Sequence, residues 1–470
     1  MIDPRAIMVA GHALIGRKDL PIPEWLFAWA ATLVLLVSFA ILSVAWHRTR
    51  FEETGWRPVR PGLSRALINP ATEVLAGALS VLLLVVVVWS GLTGIEAPDR
   101  NFSVSFAFVT VWLGVVGASV LLGDVFRAFN PWRAIARAVG GGFKLIAGQP
   151  AQPPLAYPER FGRWPAVIGV VAFGWLELAY GQGGFQTVGL TPHTVAVATL
   201  VYTAYTFVAM ALFGSQKWLE RGEFFSVYFS MFASLATLEV RDGRLGMRRV
   251  LSGASKWLEA VTPGSIAMVL VAIGVTTFDG AGEGALAQPI NSVYTSLQDA
   301  GVGPIASLRI SNSLFLALTL GFVFGLFWAG IYGMHTVRGE IGTRRLGELF
   351  AHAFIPIALA YLVAHYFSLV VFQEQAQFSF LLSDPLGDGS DLFGTAGQGI
   401  DYGAISANAI WYVQVGALIA GHVTALVLGH DRALEVYGDS RTAARSQYWM
   451  LALMVGFTSL GLYLLSQSNV

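Results

Sequence analysis

The sequence predicts an all-α protein built from about ten membrane-spanning helices, and three features carry this prediction. Hydrophobic residues make up 55% of the 470 residues, charged residues only 12%, and the mean hydropathy is +0.62, whereas soluble domains carry roughly a quarter charged residues. Ten apolar runs approach the roughly 20 residues that cross a bilayer. Finally, 24 of the 29 Lys and Arg residues fall in alternate connections between these runs.

Aromatic residues mark several ends of the predicted spans, as expected at a membrane–water interface. Trp25 and Trp46 frame the first run, and Trp164 and Tyr180 frame the fourth. The first run is too long for a signal-peptide core and has no small-residue cleavage site, so we expect a retained helix. The predicted spans are 25–46, 73–92, 103–123, 165–180, 193–213, 262–278, 311–333, 349–372, 407–429 and 447–466.

The distribution of basic residues predicts the orientation of the chain. Positively charged residues are enriched in cytoplasmic loops, so the basic connections are predicted to be cytoplasmic and both termini external. We therefore expect a protein of the bacterial inner (plasma) membrane. The basic connections are 47–70, 124–164, 214–261, 334–348 and 430–446.

Residues 222–238 form an eleventh apolar segment. Lys217 and Arg221 precede it, and four arginines follow between Arg241 and Arg249. A spanning helix here would move one basic cluster to the external side. The charges therefore favour an interfacial or re-entrant helix.

The remaining composition limits the functional classes. No soluble domain is apparent, so residues 1–470 are interpreted as one transmembrane helical domain with the lipid bilayer as its main partner. The formal net charge of zero does not suggest a nucleic acid partner. The absence of cysteine excludes disulfides, thiolate metal sites and a cysteine nucleophile. Histidines and carboxylates are then the candidate ligands and catalytic groups.

Five ionisable residues are predicted to approach one another near the external ends of the spans. Such residues inside a membrane are costly and mark functional sites by default. Histidines with carboxylates are also the ligands of hydrolytic divalent-metal sites. Glu177, His193 and His365 are the candidate catalytic residues. Asp279 and Glu374 also fit ordinary solvated helix ends. The candidate metal ligands are Glu177, His193, Asp279, His365 and Glu374.

His422 is the candidate cofactor ligand in the ninth predicted span. A b-type haem held between His365 and His422 is disfavoured, because the predicted spans place the two residues about 14 Å apart in depth. Each histidine also fits a neutral buried residue that hydrogen-bonds to a neighbouring helix.

A set of short segments extends over nearly the whole chain: Gly11-His12, Asp19-Leu-Pro-Ile-Pro-Glu-Trp25, Asn130-Pro-Trp132-Arg, Trp175-Leu-Glu177-Leu, Phe278-Asp279-Gly280, Pro356 to Tyr366, and Gly421-His422-Val with His430. In this order the segments resemble a family of bacterial polytopic membrane proteins labelled fenitrothion hydrolase-like. The resemblance implies cleavage of an apolar phosphotriester with release of a phenol, and it assigns no catalytic residue.

Three functions remain open from the sequence. The first is a membrane-embedded hydrolase of apolar, organophosphate-type esters. The second is a transporter or permease, which suits ten helices, buried ionisable residues and a re-entrant segment. The third is a haem- or copper-linked redox component that uses the histidines as ligands.

Overall fold

The computed structural model describes residues 24–51, 55–182, 190–259, 262–337 and 339–467, and they are almost entirely helical. His12 and the predicted external N terminus lie outside these residues. The helices are α1 (Glu24–Ala45), α2 (Pro61–Leu67), α3 (Pro70–Thr93), α4 (Phe102–Leu122), α5 (Phe126–Phe129), α6 (Pro131–Ala147), α7 (Trp164–Trp175), α8 (Pro192–Phe213), α9 (Ser215–Arg221), α10 (Phe224–Ala233), α11 (Gly253–Glu259), α12 (Ser265–Glu283), α13 (Ala287–Asp299), α14 (Pro304–His335), α15 (Thr343–Phe350), α16 (Ile355–Phe378), α17 (Phe380–Ser383), α18 (Ala407–Tyr437) and α19 (Ser440–Gln467).

Seven of the described helices are long and apolar enough to cross a membrane: α3, α4, α8, α12, α14, α16 and α18. They coincide with seven of the ten predicted spans. The other three predicted spans are also helical, as α1, as α19, and as α7 with its π-helical continuation Leu176–Tyr180. The all-α fold is therefore confirmed, whereas the count of ten spans stays a prediction.

Local sequence explains where several spans begin. Asn69 and Thr191 accept hydrogen bonds from backbone N–H groups in the first turns of α3 and α8, and proline follows each of them. Side-chain caps and proline at the first helical position both favour helix initiation.

Helix α3 shows how these helices face a membrane. An apolar stripe of Leu75, Leu79, Leu82, Val85 and Trp89 runs along it, and each of these side chains is exposed. The spacing of three or four residues places them on one helical face. A continuous exposed apolar stripe of this length is what a lipid-facing surface requires.

Helix α12 forms the centre of the bundle. Nearly all of its residues are buried, and it packs against α7, α14, α16 and α19. A helix that is apolar on all sides is buried on all sides. Any polar residue on α12 therefore lies in the interior of the molecule.

The segment predicted to be interfacial or re-entrant forms helix α10, which has ten residues and is buried on nearly every side. At 1.5 Å per residue it extends about 15 Å, or half of a hydrocarbon core. A strand β2 (Leu238–Arg241) follows it and pairs with β3 (Arg244–Met247). Asp242 and Gly243 both have positive φ, as a two-residue hairpin turn requires. Strand β3 also pairs with β1 (Arg57–Pro58).

Two helix ends differ from the prediction in a way that affects the candidate residues. Helix α12 continues to Glu283, so Asp279 lies inside it rather than at its end. Helix α16 runs from Ile355 to Phe378, six residues later than predicted at both ends. Glu374 is therefore a helical residue, and His365 lies near the middle of its helix.

Candidate functional site: a buried Asp–His–Tyr cluster

The site begins with one carboxylate on the central helix. Asp279 follows the apolar run of α12 and is 7% exposed. A carboxylate buried among apolar residues is costly unless hydrogen-bond donors or opposite charges surround it. The neighbouring helix α16 supplies such groups from two adjacent residues, His365 and Tyr366.

Both side chains bind the same carboxylate oxygen. Nε2 of His365 lies 2.9 Å from Oδ2 of Asp279, and the Tyr366 hydroxyl donates to that oxygen at 2.5 Å. A histidine that faces a carboxylate in this way is fixed in ring orientation, because one nitrogen is committed to the contact. Protonation of His365 makes the contact an ion pair.

A second carboxylate lies close to this group. Glu177 is close enough to Asp279 for their charges to interact, and Tyr366 lies within the range of both. Glu177 belongs to the π-helical segment Leu176–Tyr180. Such π-helical turns occur frequently at functional sites. We call Glu177, Asp279, His365 and Tyr366 the Asp279 cluster.

A cavity of about 30 Å³ adjoins His365. A water molecule needs roughly 10–15 Å³ measured in this way, so the cavity has room for about two waters. Gly280 lies directly beside the imidazole, since a Cβ there would lie 3.4 Å from Nδ1 of His365. The residues that line the cavity are Thr276, Thr277, Gly280, Tyr361, Ala364, His365, Leu418 and Gly461.

Two tyrosines near the site were not among the predicted site residues. Tyr366 directly follows His365, and Tyr228 of the buried helix α10 lies within electrostatic range of Tyr366. Tyr228 is completely buried and stacks on Trp112 at 4.2 Å between ring centroids. Tyrosine is common in membrane spans, so neither residue carries a signal in the sequence. For Tyr228, the sequence offered one indication of a functional role, namely its place in the segment 222–238, which was predicted to be interfacial or re-entrant.

The structure does not bring the five predicted metal ligands together. Within the described residues there is no group of three or more His, Asp or Glu side chains placed to hold a metal ion. His193 is exposed on α8, which packs mainly against α3. Glu374 instead accepts a hydrogen bond from Thr110 on α4.

His422 is buried but remote from the Asp279–His365 contact. Its Nδ1 lies 2.7 Å from the carbonyl oxygen of Leu418 in its own helix. The Tyr361 ring lies 6.2 Å from the His422 ring, and Tyr361 precedes His365 by one helical turn.

Comparison of the chain with protein-family models, with curated proteins and with solved structures finds no match. Function is therefore argued from the geometry of the site.

The Asp279 cluster is suited to proton exchange. It combines two carboxylates, an imidazole and a phenol, and uptake of one proton changes its total charge by one unit. Histidine accepts and releases protons near neutral pH, and the adjoining cavity has room for the water that would deliver them. Ionisable residues that pair inside a helical bundle are typical of proton relays.

Proposed function

We propose that this chain is a membrane transporter in which the Asp279 cluster takes up and releases a proton. The observation that carries the proposal is the 2.9 Å contact between His365 and Asp279 on two interior helices, beside a water-sized cavity. Binding of a proton to such a buried pair changes the charge that the surrounding helices must accommodate. That charge change can then favour one arrangement of the helices over another.

The proposal includes ten spans with both termini external, in the plasma membrane of a bacterium. Helices α1 and α19 pack together, and both contact the long helix α18. The short buried helix α10 and the π-helical turn beside Glu177 support transport further. Interrupted helices near a buried ionisable site are typical of transporters.

A pH jump tests proton access without knowledge of the transported substrate. Purified protein is reconstituted in liposomes on a solid-supported membrane, and the current after a rapid pH change is recorded. We expect a transient charge displacement in the wild-type protein. It should be largely lost in His365→Ala and in Asp279→Asn, since each removes one member of the proton-binding pair. No current in the wild type, or equal currents in all three, would exclude the cluster as a proton site.

A second function, hydrolysis of an apolar ester, is favoured by the same histidine in a different role. Asp279 orients His365 beside a space that has room for water, which is the arrangement of a general base that activates a nucleophilic water. The activated water would attack the phosphorus, and the phenolate would leave with its electron pair. The family resemblance supports this reaction. No metal is assigned to it, because the predicted ligands do not assemble within the described residues.

A chromogenic ester separates the two functions. Diethyl 4-nitrophenyl phosphate is incubated with the purified protein, and release of 4-nitrophenolate is followed by absorbance. Hydrolysis requires turnover that falls by about 10²-fold or more in His365→Ala, the typical contribution of a general base. Charge displacement without turnover favours transport, whereas turnover in the His365→Ala variant at the wild-type rate rules out this hydrolytic site.

A further inference from the structure

A second group of buried polar atoms lies on α16, away from the Asp279 cluster. Glu374 follows His365 by nine residues, which corresponds to about 14 Å along the helix. One of its oxygens, Oε2, accepts a hydrogen bond from the Thr110 hydroxyl at 3.1 Å. The other, Oε1, is buried and has no hydrogen-bond partner among the described residues.

Gln377 extends this group by one helical turn. Its side chain is 1% exposed, and within the described residues neither its Oε1 nor its Nε2 has a hydrogen-bond partner. Residues three apart on a helix lie on the same face. Gln377 therefore lies on the face of α16 that carries Glu374, and that face packs against α4.

Helix α4 presents hydroxyl groups to this face. Thr110 belongs to the π-helical part of α4, Phe106–Gly114, and Ser105 immediately precedes that part. A π-helix has about 4.4 residues per turn, so Ser105, five residues before Thr110, lies about one turn away and within about 50° of Thr110 around the helix axis. The Ser105 hydroxyl is buried and also has no hydrogen-bond partner among the described residues.

The order of residues along the two helices places these groups opposite one another. A Cβ at Gly114 would lie 3.4 Å from Oε1 of Glu374. Helix α4 therefore passes Glu374 with Gly114 and Thr110 beside it. Ser105 follows farther toward the C-terminal end of α16. Gln377 lies in the same direction from Glu374. The segment Phe102–Ser105 also contacts α16. Ser105 therefore lies at the level of the turn of α16 that carries Gln377.

Buried polar atoms without partners are rare, because each costs free energy. Four such atoms lie on packed turns of α4 and α16, on Ser105, Glu374 and Gln377, and a bound ion with its water would satisfy them. When ionised, the carboxylate carries one negative charge, and no described Lys or Arg forms an ion pair with it. Hydroxyl, amide and carboxylate oxygens are the ligands that hard cations prefer. A single carboxylate balances a single positive charge.

We infer that Ser105, Thr110, Glu374 and Gln377 form a binding site for a monovalent cation, with Na⁺ as the first ion to test. The carboxylate supplies the countercharge, and the three neutral side chains supply oxygen ligands. Water bound with the ion accepts the hydrogen bond from Nε2 of Gln377. With the proposed orientation, this site lies toward the external ends of α4 and α16.

Thermal unfolding of the full-length protein in detergent tests the site. Tryptophan fluorescence is followed while NaCl replaces choline chloride at constant ionic strength. A cation that binds only the folded protein raises the Tm with its concentration, so we expect a saturable rise of a few degrees. Glu374→Gln and Gln377→Leu should weaken the apparent Na⁺ affinity at least about tenfold. The broadening of the sodium NMR signal gives a second, direct measure of binding.

Two variants serve as controls. Ser119→Ala removes another buried hydroxyl without a described partner, but it lies farther along α4 and should leave the Na⁺ dependence unchanged. His365→Ala should also leave it unchanged, which separates this site from the proposed proton site. If Glu374→Gln or Gln377→Leu cannot be purified, the milder variant Ser105→Ala takes its place. Identical unfolding in Na⁺ and choline, or a Na⁺ effect that persists in the variants, overturns the inference.

Discussion

Gly280 keeps open the space through which His365 meets the cavity. A methyl group at this position would lie at van der Waals distance from the imidazole, whereas a branched side chain would extend into the cavity itself. We therefore expect Gly280→Ala to retain the pH-dependent charge displacement. Gly280→Val should lose most of it and destabilise the protein by about 1–3 kcal/mol through overpacking. Currents after a pH jump and the midpoint of thermal unfolding measure the two effects.

Gly282 provides the matched control for this substitution. It lies two residues later on α12, and a Cβ there would meet no atom within 4 Å. Gly282→Val should therefore leave the charge displacement intact. If both valine variants behave alike, loss of helix stability rather than loss of the cavity explains the result.

At the scale of single residues, the sequence identifies the ionisable candidates but does not predict the direction in which each side chain points. Asp279 and His365 stand out because charged and imidazole side chains are rare in apolar runs, and the structure brings them into contact. His193 has the same signal and is exposed on α8. The rotation of a helix about its own axis depends on its neighbours, and a single sequence does not identify them.

The beginning of helix α10 depends on one buried carboxylate. Glu223 accepts hydrogen bonds from the backbone N–H groups of Phe225 and Ser226, from the Ser226 hydroxyl, from Tyr202 and from the side-chain amide of Asn130. It is completely buried. Every polar contact of the Glu223 side chain is with a hydrogen-bond donor. A carboxylate, which only accepts hydrogen bonds, therefore fits this position, whereas an amide, which also donates, does not.

We expect Glu223→Gln to destabilise the protein by about 1–3 kcal/mol, because the new NH₂ group meets donors and leaves buried groups unsatisfied. The midpoint of thermal unfolding measures this loss. Glu220→Gln is the control, since Glu220 is exposed and pairs only with exposed partners on its own helix. An unchanged midpoint in Glu223→Gln would contradict the role of Glu223 as the group that fixes α10.

At the scale of elements, the existence of the helices was predictable from the sequence, whereas their first and last residues were not. The charges on both sides of residues 222–238 correctly argued against an ordinary span, and the structure has a ten-residue buried helix there. The hairpin that follows was missed, although Asp242-Gly243 between short strands is a recognised turn signal. The bounds of α16 differ by six residues for two reasons. The apolar residues before it end α15 and form a 3-10 turn, Ala351–Phe354, and at the other end the helix continues through the largely polar residues 373–377.

For the whole molecule, the proposed ten spans require the short helix α7 to cross the membrane together with its π-helical continuation. Gln152 and Gln182 lie on opposite sides of this segment, and both are exposed. The chain has no cysteine, so a single introduced cysteine is the only thiol. We expect an impermeant maleimide to label Gln182→Cys in intact cells, and to label Gln152→Cys only after permeabilisation.

Asp99→Cys serves as the reference for an external position, because the exposed residue Asp99 lies between the apolar helices α3 and α4. Labelling of Gln152→Cys and Gln182→Cys from the same side would mean that α7 does not cross. The predicted orientation of every later helix would then be reversed.

Residence in a membrane is a property of composition, so it can be predicted from the whole sequence. The lateral arrangement of the helices cannot be predicted in this way, because many packings of similar apolar helices bury similar areas. Nothing in the sequence distinguishes α12 as the central helix, because α4 and α8 also lack Asp, Glu, Lys and Arg. The close approach of α16 and α18 depends on Gly421, where a Cβ would lie 2.3 Å from that of Ala360.

The small sheet limits how the helices around α10 can move. Strand β1 follows α1 in the chain, and β3 lies just beyond α10, so their pairing ties two distant parts of the chain together at one end of α10. That end is held in place by backbone hydrogen bonds. We therefore expect any rearrangement around Tyr228 to pivot about the sheet, with the largest displacements at the far ends of the surrounding helices.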